Sequence, residues 1–67
     1  MAPVKRMARR LRTIRQRREL SQRELAAKAK ISRGYLIRLE AGEQDPTLGV
    51  IERLARALGV PVTALLE

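Results

Sequence analysis

Between Ser21 and Ser32 the chain starts a helix twice within twelve residues, and that crowding limits its architecture more than any other feature of the sequence. Ser21 and Glu24 have the spacing of a capping box, in which hydroxyl and carboxylate each satisfy a backbone donor at a helix start. A helix is predicted from about Gln22 to Ala29. Ser32 is a second N-cap, Leu36 and Leu39 supply an inward stripe, and Gly42 closes the run, which predicts a helix over about Arg33 to Glu40. Two short helices joined by two or three residues cannot lie antiparallel, so they must cross steeply.

The flanking segments supply the body on which such a corner rests. From Val4 to Arg18, Met7, Leu11 and Ile14 recur at helical spacing with cations around the remaining arc. Thr47 can cap a further helix carrying Leu48, Ile51, Leu54, Ala55 and Leu58, with Gly59 in the closing position. Beyond Pro61, Val62 to Leu66 has the composition of one or two last turns. The expectation is an all-α, compact four- or five-helix bundle. At 67 residues there is apolar material for one core, so residues 1–67 are expected to form one domain, with the helix-turn-helix at about 21–41.

Composition removes several function classes. The absence of Cys and His leaves no thiol nucleophile, disulfide or imidazole metal ligand, so no metal site, cofactor or catalytic group is expected, and a zinc finger is excluded. Tyr35 is the only aromatic residue, too few for the stacking platforms that bind single strands, so duplex DNA fits better. No apolar run approaches the roughly 20 residues needed to span a bilayer, and no apolar signal segment follows the basic N-terminus, which predicts a cytoplasmic, nucleoid-associated protein. The formal charge of +8 is unevenly spread. Residues 1–20 hold eight cations against Glu19 alone, whereas the rest of the chain holds seven cations against six acids. A field of this kind attracts polyanions of any sequence.

The segments LSQRELA at 20–26, ISRGYLIRLEAG at 31–42 and DPTLGVIERLARALGV at 45–60 together resemble the Cro and lambda-repressor family, also called Xre-type. The resemblance implies a five-helix domain whose third helix reads bases in the major groove while the start of the second grips phosphate. The positions that carry over are Gln22, Arg33, Gly34, Ile37 and Arg38. It further implies a structural ion pair between Arg15 and Glu40. The chain departs from the pattern in two places. Glu19 and Lys30 stand where such proteins usually have Gly, so the first two helices are expected to close differently. The loop Glu43, Gln44, Asp45 is acidic where relatives often carry basic phosphate contacts.

At about 100° per residue, Arg33, Gly34, Ile37 and Arg38 share one arc of the third helix, opposite Tyr35, Leu36 and Leu39. These four are the expected base contacts. Arginine reaching guanine O6 and N7 is the commonest specific contact, and Ile37 is either a stray exposed residue or a contact for a thymine methyl. Expected phosphate contacts are Gln22, Ser32, Gln44 and Thr47; for Gln22 the alternative is a solvated amide. Arg9, Arg10, Arg12 and Arg17 read as a solvated face supplying long-range attraction. Val62, Leu65 and Leu66 are assigned to a two-fold contact, or else they cover the monomer's own core. The expected partners are double-stranded DNA, bound at a near-palindromic operator, and a second copy of the chain, with no membrane. The alternatives are a helical protein-interaction module or a toxin-neutralising antitoxin of the same fold, and a cationic helix on a membrane surface, whose apolar face should be larger than Met7, Leu11 and Ile14 provide.

Overall fold

The computed structural model describes the backbone of residues 3–67 and the side chains from Lys5 onward. Five helices follow one another, α1 (Pro3–Arg17), α2 (Gln22–Ala29), α3 (Arg33–Glu40), α4 (Leu48–Leu58) and α5 (Thr63–Leu66), and no strand occurs among the described residues. Each of the three middle helices begins where a hydroxyl is available to cap it. Ser21 Oγ accepts from the Glu24 amide at 3.0 Å while the Glu24 carboxylate accepts from the Ser21 amide at 2.8 Å, so both halves of the capping box form. Ser32 Oγ caps α3 through the Tyr35 amide and Thr47 Oγ1 caps α4 through the Val50 amide.

The first four helices end in one way. In α1, α2, α3 and α4 the residues Glu19, Lys30, Gly42 and Gly59 each turn to positive φ, between 58° and 75°. The amide of the next residue then reaches back five positions: Leu20 to the Arg15 carbonyl, Ile31 to Ala26, Glu43 to Arg38 and Val60 to Ala55. This is the Schellman closure, which satisfies carbonyls that have lost their helical partners. The expectation that Glu19 and Lys30 would close their helices differently is therefore corrected: both adopt the left-handed conformation that glycine usually supplies. What holds them there is the residue that follows. Leu20 and Ile31 are packed against the core, so the apolar anchor offsets a backbone cost of about 1–2 kcal/mol.

The core is a single cluster in which α2 packs on α4 and α3, while α1 packs on α3 and α5. Leu11, Leu25, Leu36, Leu39, Leu54 and Leu65 are fully enclosed. Leu65 is a correction to the expected two-fold contact: α5 folds back against α1 and α4, so this side chain fills the interior and cannot face a partner. Val62 is half-buried against the same cluster, and Leu66 is 48% exposed.

The left-handed residues generate a prediction. Replacing Lys30 by Gly removes the Cβ that disfavours positive φ but adds freedom to the unfolded chain, so the net stabilisation should be about 0.5–1 kcal/mol. A urea melt reads it as a higher midpoint at unchanged slope; a lower midpoint would contradict the left-handed closure.

Candidate nucleic-acid interface

An eight-residue helix is not stable alone in water, so α3 is held by what it touches. Leu36 and Leu39 lie in the core, Tyr35 packs at its margin, and Glu40 is the one buried charged residue among the described residues. The opposite arc, Arg33, Gly34, Ile37 and Arg38, is exposed along its whole length. Ile37 is 42% exposed, although nothing in the fold requires an isoleucine there.

Glu40 fixes how far α3 is rotated about its own axis. Its Oε2 accepts from Arg15 Nε at 2.6 Å and its Oε1 from Arg15 Nη2 at 3.0 Å, a two-pronged pair whose side chains are only 11% and 3% exposed. Arg15 Nη1 also donates to the Leu20 carbonyl at 2.8 Å, tying the same guanidinium to the end of the α1–α2 turn. Gln22 Nε2 donates to Glu40 Oε1 at 3.1 Å. One carboxylate thus joins α1, the start of α2 and the end of α3, and no buried side-chain polar atom among the described residues lacks a partner.

These bonds assemble the groups singled out in the sequence. Gln22 and Ile37 line one open notch of about 370 Å³ together with Arg12, Arg15, Glu40 and Ala41. Gln22 occupies the first turn of α2, where backbone amides without helical acceptors and the positive end of the helix dipole favour an anion. Its amide group still has a second N–H beyond the bond to Glu40. Ser32 and Thr47 are occupied as caps, yet each hydroxyl that accepts from an amide keeps its own O–H to donate. Gln44 is half-buried between exposed Glu43 and Asp45, well along the turn that leads to α4.

Two features escape a linear reading. The Gln22–Glu40 bond spans 18 residues and has no local signature. Arg12, expected on a solvated face, borders the notch, its Nη1 3.4 Å from the Glu40 carbonyl. Its place beside α3 was available in the helical spacing of Arg12 with Arg15.

Residues 11–65 match a helix-turn-helix family model. The chain belongs to the helix-turn-helix family of Cro and C1 type. This is a family of transcriptional regulators that bind DNA and are not enzymes. The chain is 43% identical over 56 residues to the immunity repressor protein of Bacillus phage phi105, covering 84% of this chain and 39% of that one. It is 43% identical over 58 residues to the HTH-type transcriptional regulator DdrOP3 of Deinococcus deserti, covering 87% and 45%. It therefore spans less than half the length of these two relatives. Among solved structures, the restriction-modification controller protein C.AhdI from Aeromonas hydrophila superposes with a TM-score of 0.91 at 32% identity, over 92% of this chain and 94% of that one. The biofilm regulator SinR, solved in complex with DNA, superposes with a TM-score of 0.87 at 31% identity, over 91% and 98%. No described helix is long and apolar enough to cross a membrane.

The ion pair can be tested without any ligand. Glu40→Ala leaves the Arg15 guanidinium largely buried without its counter-charge, and the expected loss is about 3 kcal/mol in a denaturant melt. A loss below about 0.5 kcal/mol would make the pair equivalent to an exposed one.

Proposed function

We propose that this chain is a sequence-specific duplex DNA-binding domain, a single unit over residues 1–67 with its helix-turn-helix at about 21–41, that regulates transcription as a repressor or controller by inserting α3 in the major groove. The observation that carries this is the division of α3 into an anchored arc and an exposed one, with Arg33, Gly34, Ile37 and Arg38 together on the free side. Arg33, at the N-terminal end of α3, is the reader of a guanine; Ile37, one turn on, meets a thymine methyl, and Arg38 reaches a neighbouring base or phosphate. Gln22, Ser32, Gln44 and Thr47 hold the backbone on either side. The immunity repressor, the controller protein and the DNA-bound regulator among its relatives support this role. The partner is double-stranded DNA at a near-palindromic operator in the cytoplasm, bound by two copies that meet through Val62 and exposed Leu66.

Gly34 separates the needs of folding from those of binding. A Cβ built there meets only Arg38 Nη1 at 3.7 Å, ordinary contact distance, so the free protein has room for alanine. Gly34→Ala should raise stability by about 0.5–1 kcal/mol, because glycine is a poor residue inside a helix. If α3 lies against base edges the same change should weaken operator binding. Improved stability with unchanged affinity would mean that DNA does not approach this backbone.

Selection of bound sequences from random duplexes supplies the operator on which the reading is tested. Arg33→Ala should cost about 1–3 kcal/mol on that site and relax preference at one base pair, and Arg33→Lys should recover attraction more than selectivity. Replacing the facing thymine by uracil deletes one methyl group. Binding should weaken for the wild type and hardly change for Ile37→Ser; equal losses in both proteins would remove Ile37 from the readout.

A further inference from the structure

The cations of α1 divide into two ridges that composition cannot tell apart. Lys5, Arg9 and Arg12 stand at i, i+4 and i+7, and Arg6, Arg10 and Arg17 share another arc about 110° around the helix. All six are exposed and the two sets carry equal charge. Their surroundings differ. Lys5, Arg9 and Arg12 border an open groove of about 240 Å³ whose other wall is the end of α3, at Glu40, Ala41 and Gly42. This groove shares Arg12, Glu40 and Ala41 with the notch lined by Gln22 and Ile37.

Among the described residues, the only acid along the combined groove is Glu40, and its carboxylate is buried and engaged by Arg15 and Gln22. Lys5 is held in place by the α3–α4 turn: a Cβ at Gly42 would lie 3.2 Å from Lys5 Cγ, so the lysine stem occupies the space that glycine leaves. Capping of the α3 carbonyls accounts for Arg12 at most, through one contact of 3.4 Å near the limit of a hydrogen bond, and leaves Lys5 and Arg9 without a role.

We propose that Lys5, Arg9 and Arg12 form a phosphate track that grips one strand of the bound duplex beyond the base pairs read by α3. This rests on the DNA-binding function proposed above. From Lys5 to Arg12 the helix rises about 10 Å, a span over which three long cationic side chains can reach two or three successive phosphates of one strand. The ridge of Arg6, Arg10 and Arg17 adds to the field and touches no phosphate.

Two variants of equal charge test this: Lys5→Gln/Arg9→Gln/Arg12→Gln and Arg6→Gln/Arg10→Gln/Arg17→Gln. Dissociation constants are measured on the selected operator duplex between about 50 and 200 mM salt. At about 0.9 per phosphate, the salt slope of the first variant should be shallower than wild type by about 2 to 3, so that its affinity falls on the order of 20- to 60-fold less across that range. The second variant should differ by less than about 1. Phosphate ethylation should interfere with wild-type binding beside the half-site, and the first variant should lose that interference. Thermal melts followed by circular dichroism establish that each variant is folded, and Lys5→Gln/Arg9→Gln, which spares the contact to Glu40, should still lower the slope by about 1 to 2. Equal slope changes in the two triple variants, or no flanking interference, would overturn the track while leaving duplex binding intact. Failure of the wild type to bind any duplex in a salt-dependent way would overturn the DNA-binding function itself.

Discussion

Everything the exposed arc of α3 can do depends on the carboxylate of Glu40. Apolar contacts at Leu36 and Leu39 hold α3 against the core, but apolar packing alone permits a short helix to slide and roll. The two-pronged bond from Arg15 has a fixed plane and fixed distances, and at the last residue of the helix it resists the roll that would turn the arc of Arg33 and Ile37. The desolvation of such a pair opposes its attraction, so its gain in stability over an apolar replacement is small. Its contribution is directional. Because Gln22 donates to the same carboxylate, the start of α2 is set in register with α3, and Gln22 and Ile37 become parts of one rigid surface.

That rigidity is reached in a chain without disulfides, where the helix ends have to carry much of the specification. Three hydroxyl caps start α2, α3 and α4, and four Schellman closures end α1 through α4, so each turn is defined by bonds on both sides. Between α2 and α3 only Lys30, Ile31 and Ser32 remain: Lys30 makes the left-handed turn, Ile31 anchors it in the core and Ser32 caps the next helix. No slack residue is left between the two helices.

Local chemistry was legible in the sequence and distant chemistry was not. The spans 22–29 and 33–40 follow from Ser21, Glu24, Ser32 and Gly42, because a cap acts on residues three or four positions away. The same locality misleads at Glu19 and Lys30, where the identity of the turning residue argues against a left-handed conformation. The stabilising partner is the next residue, Leu20 or Ile31, whose burial depends on the rest of the fold. Leu65 and Leu66 are equally apolar, and only the direction in which α5 folds back decides that one is enclosed and the other half exposed. For the candidate interface, helical periodicity was enough to group Arg33, Gly34, Ile37 and Arg38. The bond from Gln22 to Glu40 and the groove beside Arg12 arise from packing between helices far apart in sequence.

The acidic turn gains a meaning from this arrangement. Glu43 and Asp45 are exposed on either side of Gln44, and their charge opposes a phosphate drawn to that amide. The stem of Lys5 rests against Gly42, immediately before the turn. Behind it, Arg9 and Arg12 continue along α1 toward Gln22. Backbone contacts made from a helix, as in the proposed track, come from cations with fixed spacing, because residues at i, i+4 and i+7 keep their separation when a duplex arrives. Repulsion at the turn weakens the hold of Gln44 on a phosphate, and in the proposed track the cations along α1 supply the attraction that the turn lacks.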